Sequence, residues 1–176
     1  MASLTDSTGT TVAEVAGVQS NPTSSLTLPA TTTAYAAGNL VANSATAGSI
    51  SVPGLTLTNS GAIIPRLRLS TNDATSTGWG GVQVQVDLWS AAPTFVNGDR
   101  GAFALASGAA SHLGAYSGTM SAVGGDGAYA ELSPVVGSVS APKLAVPTIY
   151  WTLQAVSATG VTGASKTFTL TAETLS

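Results

Sequence analysis

Apolar and polar residues alternate with a period of two along most of this chain, and nowhere do they settle into a sustained helical period. The clearest run is Val82-Gln83-Val84-Gln85-Val86-Asp87-Leu88-Trp89. Four aliphatics share one face and two glutamines and an aspartate share the other, which predicts a strand with one face in a core and one face wet or shared with a partner. Leu26 and Leu28 alternate with Ser25 and Thr27 until Pro29 closes the run. Ile50 and Val52 lead to Pro53-Gly54, after which Leu55 and Leu57 take the opposite parity, as where a bulge re-aims a strand and keeps its hydrophobic face. Asn59-Ser60-Gly61 reads as a turn. In Ile64-Pro65-Arg66-Leu67-Arg68-Leu69 both arginines stand opposite the leucines, and Thr71 to Gly78 is a polar loop.

Near the end, Ile149 to Ala155 and Lys166 to Ala172 repeat the alternation on either side of a glycine-bearing stretch, Ser157 to Ala164, which predicts a terminal hairpin. Shorter strand candidates lie at Leu113 to Ser117, Tyr129 to Leu132 and Val135 to Val139. The pattern as a whole predicts an all-β fold: an antiparallel β-sandwich, jelly-roll-like, of about eight strands. Residues 24–176 form its single domain. Residues 1–23 are expected to be an N-terminal arm or flexible terminus, in which Val12, Val15 and Val18 recur every third residue; Thr10, Thr11 and Gly17 argue against a stable helix there.

Composition narrows the function classes. Ala, Thr, Ser and Gly supply 96 of the 176 residues, whereas Lys, Arg, Asp and Glu supply only 13. Five basic residues fall short of the about six to ten phosphate contacts of a typical DNA complex, so no nucleic-acid partner is expected. The chain has no cysteine and one histidine, His112, so thiolate chemistry and any site needing two imidazoles are excluded. The first residues lack the basic and apolar regions of a signal peptide, and no segment is long and apolar enough to span a bilayer. A protein made in the cytoplasm, with no membrane partner, is the expectation.

Candidate chemistry is sparse, and neither a catalytic residue, a metal nor a cofactor is expected. Ser111 and His112 invite a hydrolase reading, yet neighbours on one strand point to opposite faces and no Gly-x-Ser-x-Gly occurs. Gly125-Asp126-Gly127-Ala128-Tyr129-Ala130 fits the dinucleotide pattern in letters only, because no buried strand precedes it and Pro134 follows soon after; a glycine turn is the better reading. Of the eight carboxylates only Asp87 and Glu131 fall on strands, and Asp87 is expected to meet Arg66 or Arg68 across a polar sheet face. Asn97-Gly98-Asp99 offers too few oxygens for calcium and reads as a turn in which Asn-Gly supplies positive φ. Trp79, set among Gly78, Gly80 and Gly81, is the one tryptophan expected in a loop, available to a sugar or a subunit interface.

Several stretches in order resemble small structural proteins of tailed bacteriophages, in particular head decoration, or cement, proteins. These are Tyr35-Ala36-Ala37-Gly38-Asn39-Leu40-Val41-Ala42-Asn43-Ser44, Pro65-Arg66-Leu67-Arg68-Leu69, Val84-Gln85-Val86-Asp87-Leu88-Trp89, and Ala92-Pro93-Thr94-Phe95-Val96-Asn97-Gly98-Asp99-Arg100-Gly101-Ala102-Phe103. Leu113-Gly114-Ala115-Tyr116 and Ile149-Tyr150-Trp151 extend the resemblance, which spans residues 33 to 175. It implies a non-enzymatic virion protein on the outer capsid surface that binds the major capsid protein, as a homo-oligomer with a trimer favoured. For Asn97, Gly98, Asp99 and Phe103 it implies a shaped structural loop with Phe103 pinned into the core. Val12, Val15, Val18 and Trp79 are the residues expected at a capsid or subunit interface. A tail or baseplate component and a receptor- or carbohydrate-binding protein are the rival expectations.

Overall fold

A computed structural model describes residues 2–5, 11–15, 19–57, 62–73, 78–124, 127–138, 147–159 and 163–175, the first two segments by their backbone pairing. Among these there is no α-helix, only two short 3-10 turns, Ala47–Ser49 and Ala109–Ser111. The strands are β1 (Ala2–Thr5), β2 (Thr11–Val15), β3 (Gln19–Ser20), β4 (Thr23–Thr27), β5 (Asn39–Val41), β6 (Gly54–Thr56), β7 (Ile63–Thr71), β8 (Gln83–Trp89), β9 (Thr94–Phe95), β10 (Leu105–Ser107), β11 (His112–Thr119), β12 (Ser121–Ala122), β13 (Ala128–Pro134), β14 (Thr148–Ala155) and β15 (Thr167–Leu175). Fifteen strands against an expectation of about eight reflects many short pieces, six of them of two or three residues.

Eleven strands pair in one path, all antiparallel, that folds into two layers. The front sheet holds β15 and β7 at its centre, with β3 and β4 end to end along one side and β13 and β12 on the other. The back sheet holds β8 and β14, flanked by β11 on one side and by β5 and β6 end to end on the other. The layers join where Tyr116 and Ser117 of β11 pair with Pro134 and Ser133 of β13. Opposite that seam, β4 lies alongside β6.

The inward face of each strand is the aliphatic set read from the alternation. Val82, Val84, Val86 and Leu88 are buried, as are Ile64, Leu67 and Leu69, and they pack with Leu153, Trp151, Phe168, Leu170 and Ala172 in one core between the sheets. Each of the Val, Leu, Ile and Phe side chains among these contributes on the order of 1.5–3 kcal/mol by leaving water. Trp79 sits at the centre of this core with no exposed surface, 5.3 Å from the Tyr35 ring and edge-on to Phe168 at 4.7 Å. The expected loop tryptophan is therefore a core residue: glycines on both sides let the chain turn inward, and the largest apolar side chain available goes with it.

Three further expectations are corrected. β14 and β15 are not a hairpin: β14 pairs with β8 in the back sheet and β15 with β7 in the front sheet. β7 is followed by β8 and β14 by β15, so in both cases the chain passes from one sheet to the other. Alternation alone cannot distinguish a neighbour in the same sheet from one across the core. Ile50 and Val52 do not share a face with Leu55 and Leu57. The first pair packs in a second, smaller cluster with Leu40, Ala42, Phe95, Phe103 and Leu105, and the second pair joins the main core. Val135 to Ser138 is a turn with Val136 fully exposed, not a strand. Asn59-Ser60-Gly61 and Val139 lie outside the described residues.

Front-sheet pairing begins at Gln19, where Ser20 and Gln19 face Thr174 and Leu175, inside the segment expected as an arm. Upstream, β1 and β2 form a separate two-stranded ladder with Ala2 opposite Val15 and Leu4 opposite Ala13. Val12 and Val15 lie in extended β2, so their spacing marks no helical turn, and Val18 lies outside the described residues.

Candidate functional site

The outer face of the back sheet is where the chain gathers its unusual chemistry. Asp87 and Trp89 point outward from β8, yet both are buried, as is Thr152 beside them on β14. They are covered by the chain itself. Segment 90–111, with β9 and β10, folds over the sheet and builds the second hydrophobic cluster on it. The face expected to be wet or shared with a partner is thus covered at its Asp87 and Trp89 end, while Gln83 stays exposed and Gln85 and Gln154 half-buried.

At the margin of this cover lies an open cleft of ≈ 270 Å³ lined by Asp87, Trp89, Phe103, Leu105, Ala109 and His112. His112 opens β11 directly opposite Trp89 of β8, and its Nε2 donates to Asp87 Oδ1 at 3.0 Å. Asp87 Oδ2 accepts from Gln85 Nε2 at 3.1 Å. The imidazole lies 4.7 Å from the Trp89 ring, and Trp89 Nε1 donates to Thr152 Oγ1 at 3.0 Å. Asp87 thus meets His112, not Arg66 or Arg68, because the arginines belong to the other sheet. This is the carboxylate behind an imidazole that a hydrolase would need, but the hydroxyl does not follow. Ser111 Oγ donates to the Gly108 and Ala91 carbonyls and does not face His112. A carboxylate and an imidazole without a positioned nucleophile can hold and orient a proton, and complete no acyl-transfer set.

A second polar cluster locks the same cover in place. Asp99 Oδ1 accepts from the Tyr35 hydroxyl at 2.8 Å and from the Ala42 amide at 2.9 Å, and Arg100 Nη1 donates to Asp99 Oδ2. Arg100 also donates from Nε to the Thr33 carbonyl at 2.6 Å and stacks over the Tyr35 ring at 4.4 Å. Burial pushes the Asp99 carboxyl above its usual range, with its hydrogen-bond donors and Arg100 opposing, and pushes the Tyr35 hydroxyl up as well. The turn 97–101 differs in detail from the reading of Asn-Gly. Positive φ falls on Arg100, at 66°, and not on Gly98. Gly98 is required for another reason: a Cβ there would stand 1.9 Å from the Ala45 carbonyl oxygen. Asn97 Nδ2 donates to the Ala102 carbonyl at 2.9 Å and closes the turn. Phe103 is only half-buried and meets Phe95 at 5.5 Å, so the ring that is pinned is Phe95, in the smaller cluster.

The outer face of the front sheet has no such cover. Its rows run Thr27–Thr167, Ser25–Thr169–Ser70 and Thr23–Thr171–Arg68–Glu131 across the strands. Hydroxyls pair laterally, Ser25 with Thr169 at 3.1 Å and Thr27 with Thr167 at 3.0 Å. Arg66 grips Glu131 with two hydrogen bonds of 2.9 Å, and Arg68 stacks on Tyr129 at 4.4 Å. Beyond Gly127, residues Ala128 to Ala130 enter β13, so a strand and not a helix follows the glycine turn. Among the described residues no group of three His, Asp or Glu side chains converges on a metal position.

Comparison with protein-family models, with curated proteins and with solved structures finds no match to this chain. The Asp87–His112 pair escaped sequence reasoning because its members lie 25 residues apart on strands whose adjacency only the fold sets. The one usable signal was an aspartate on the outward face of an otherwise aliphatic strand.

Proposed function

We propose that this protein is a virion structural protein, a decoration protein that binds the outer surface of a shell of major capsid protein and stabilises the head, as a small homo-oligomer with a trimer favoured. The observation that carries the reading is the contrast between the two outer faces. The back face is covered around Asp87 and Trp89 by the chain itself, whereas the front face is uncovered, with Arg66, Arg68, Glu131 and Glu173 toward one end and rows of short, uncharged hydroxyl side chains over the rest. An isolated domain ordinarily covers such a face with lysines and glutamates. Threonines and serines lose little side-chain entropy on docking and let another backbone approach closely. Repeated around a symmetric shell, modest contacts of this kind add up through multivalency. The order of motifs from Tyr35 to Trp151 supports the same setting.

The test is sedimentation of the purified protein with expanded heads that lack it. Near-stoichiometric, saturable binding is expected, and the Thr169→Arg/Ser25→Arg variant should remain folded and stay in the supernatant. Absence of binding, or binding unchanged in that variant, would remove the proposal.

A further inference from the structure

We infer that the cleft at the margin of the back-sheet cover is a binding site for a small organic cation, a primary ammonium group carried on a short apolar stem. Its lining divides into two kinds of surface. Trp89, Phe103, Leu105 and Ala109 form aromatic and aliphatic wall, and Asp87 and His112 supply the polar side-chain atoms. What those atoms have left to offer selects the ligand. The Trp89 indole N–H is already engaged by Thr152 Oγ1, and the His112 Nε2–H by Asp87 Oδ1. With the imidazole neutral, no side-chain N–H of the lining remains to donate to a ligand. Acceptors do remain: a carboxylate has about four lone-pair positions, of which His112 and Gln85 occupy two, and a neutral imidazole that donates from Nε2 accepts at Nδ1.

Charge points the same way. Asp87 is only 5 % exposed, and among the described residues no lysine or arginine forms an ion pair with it. A positive charge arriving beside a carboxylate held away from water gains more than it would beside an exposed one, and the electron-rich faces of tryptophan and phenylalanine rings attract cations as well. An ammonium group brings N–H donors and the missing charge, and its stem matches the wall of Phe103 and Leu105. An anion would meet acceptors alone. The volume of ≈ 270 Å³ lies just under the range of about 300–1,000 Å³ for drug-sized pockets, so the ligand is small. The cleft belongs to the back face, and the inference holds whether or not the front face docks on a capsid shell.

The whole chain has one histidine, so the imidazole proton signals report on this cleft alone. The full-length protein at neutral pH is titrated with n-butylammonium, n-butanol and butyrate, and the His112 ring is followed by proton NMR. Butylammonium is expected to shift its signals saturably, butanol to bind roughly tenfold or more weakly, and butyrate to give no saturable shift. Asp87→Asn should weaken butylammonium binding by a similar factor. Ala109→Lys, on the exposed rim, covers the case in which Asp87→Asn does not fold: its own ammonium group should fill the cleft and abolish the butylammonium shift. Nα-acetyl-lysine methylamide separates the sources of the cation. A matching shift identifies a lysine side chain of another protein as a fitting ligand, and butylammonium binding without it identifies a free amine, each in support of the site. Equal binding of butanol, saturable binding of butyrate, or no saturable shift with butylammonium overturns the inference.

Discussion

The two outer faces of the sandwich start from the same strand arithmetic and end differently. On the back sheet, Gln85, Asp87 and Trp89 alternate with core valines as Thr167, Thr169 and Thr171 alternate with Phe168, Leu170 and Ala172 on the front sheet. The back face carries an indole, which gains by leaving water, and a carboxylate whose burial is compensated by His112 and Gln85, and residues 90–111 cover that part of the sheet. The front face carries hydroxyls that satisfy each other, so nothing in the chain is driven to cover it. The covered part of the back contributes to stability, and on the proposed reading the uncovered front is the face that docks. Substitutions on the back should therefore act on folding and those on the front on binding.

The largest effect is expected where the cover is locked. The Arg100→Met variant leaves the Asp99 carboxylate buried beside Tyr35 without its guanidinium, at a cost of about 3–5 kcal/mol at neutral pH. The pH dependence carries a sign. Burial has already raised the folded-state carboxyl of Asp99, so its contribution to stability is full below the unfolded value and lost as pH rises through the folded one. Loss of Arg100 moves that window further up, so the deficit of Arg100→Met should shrink on acidification through the carboxylate range, measured by urea unfolding across pH. A deficit that grows on acidification would contradict the assignment.

Next comes Gly98→Ala, whose Cβ must displace the Ala45 carbonyl; about 3 kcal/mol is expected, with the loss localised by hydrogen exchange to residues 40–52 and 93–105. His112→Ala removes one of two side-chain donors from a buried carboxylate and exposes the edge of Trp89, for about 1–2 kcal/mol and a red-shifted tryptophan emission. Smallest is Thr169→Val on the front face, expected within about 0.5 kcal/mol of the parent by thermal unfolding, while its occupancy on heads falls.

How much of this was legible depended on the range of the interaction. Period-two alternation located the inward faces of β7, β8, β14 and β15 correctly, because burial of one face is a local demand on neighbouring residues. It misjudged how β14 and β15 are related, since pairing within a sheet and packing across the core impose the same alternation. Trp79 looked like loop from its glycine neighbours, whose flexibility was what allowed the ring inward. The Asn97-Gly98 turn was visible, but the need for Gly98 comes from Ala45, fifty residues away in chain, and the positive φ falls on Arg100. Asp87 and His112 could be found only once β8 and β11 were known to be neighbours.

The proposed division between a back face that serves folding and a front face that serves docking is tested most directly by site-specific thiol labelling. Ser25→Cys places one thiol on the exposed front face and Ala106→Cys places one on the exposed cover of the back sheet, in a chain with no other cysteine. Adding expanded heads should slow maleimide labelling at position 25 at least tenfold and leave position 106 unchanged. Protection at 106 with free labelling at 25 would contradict the account.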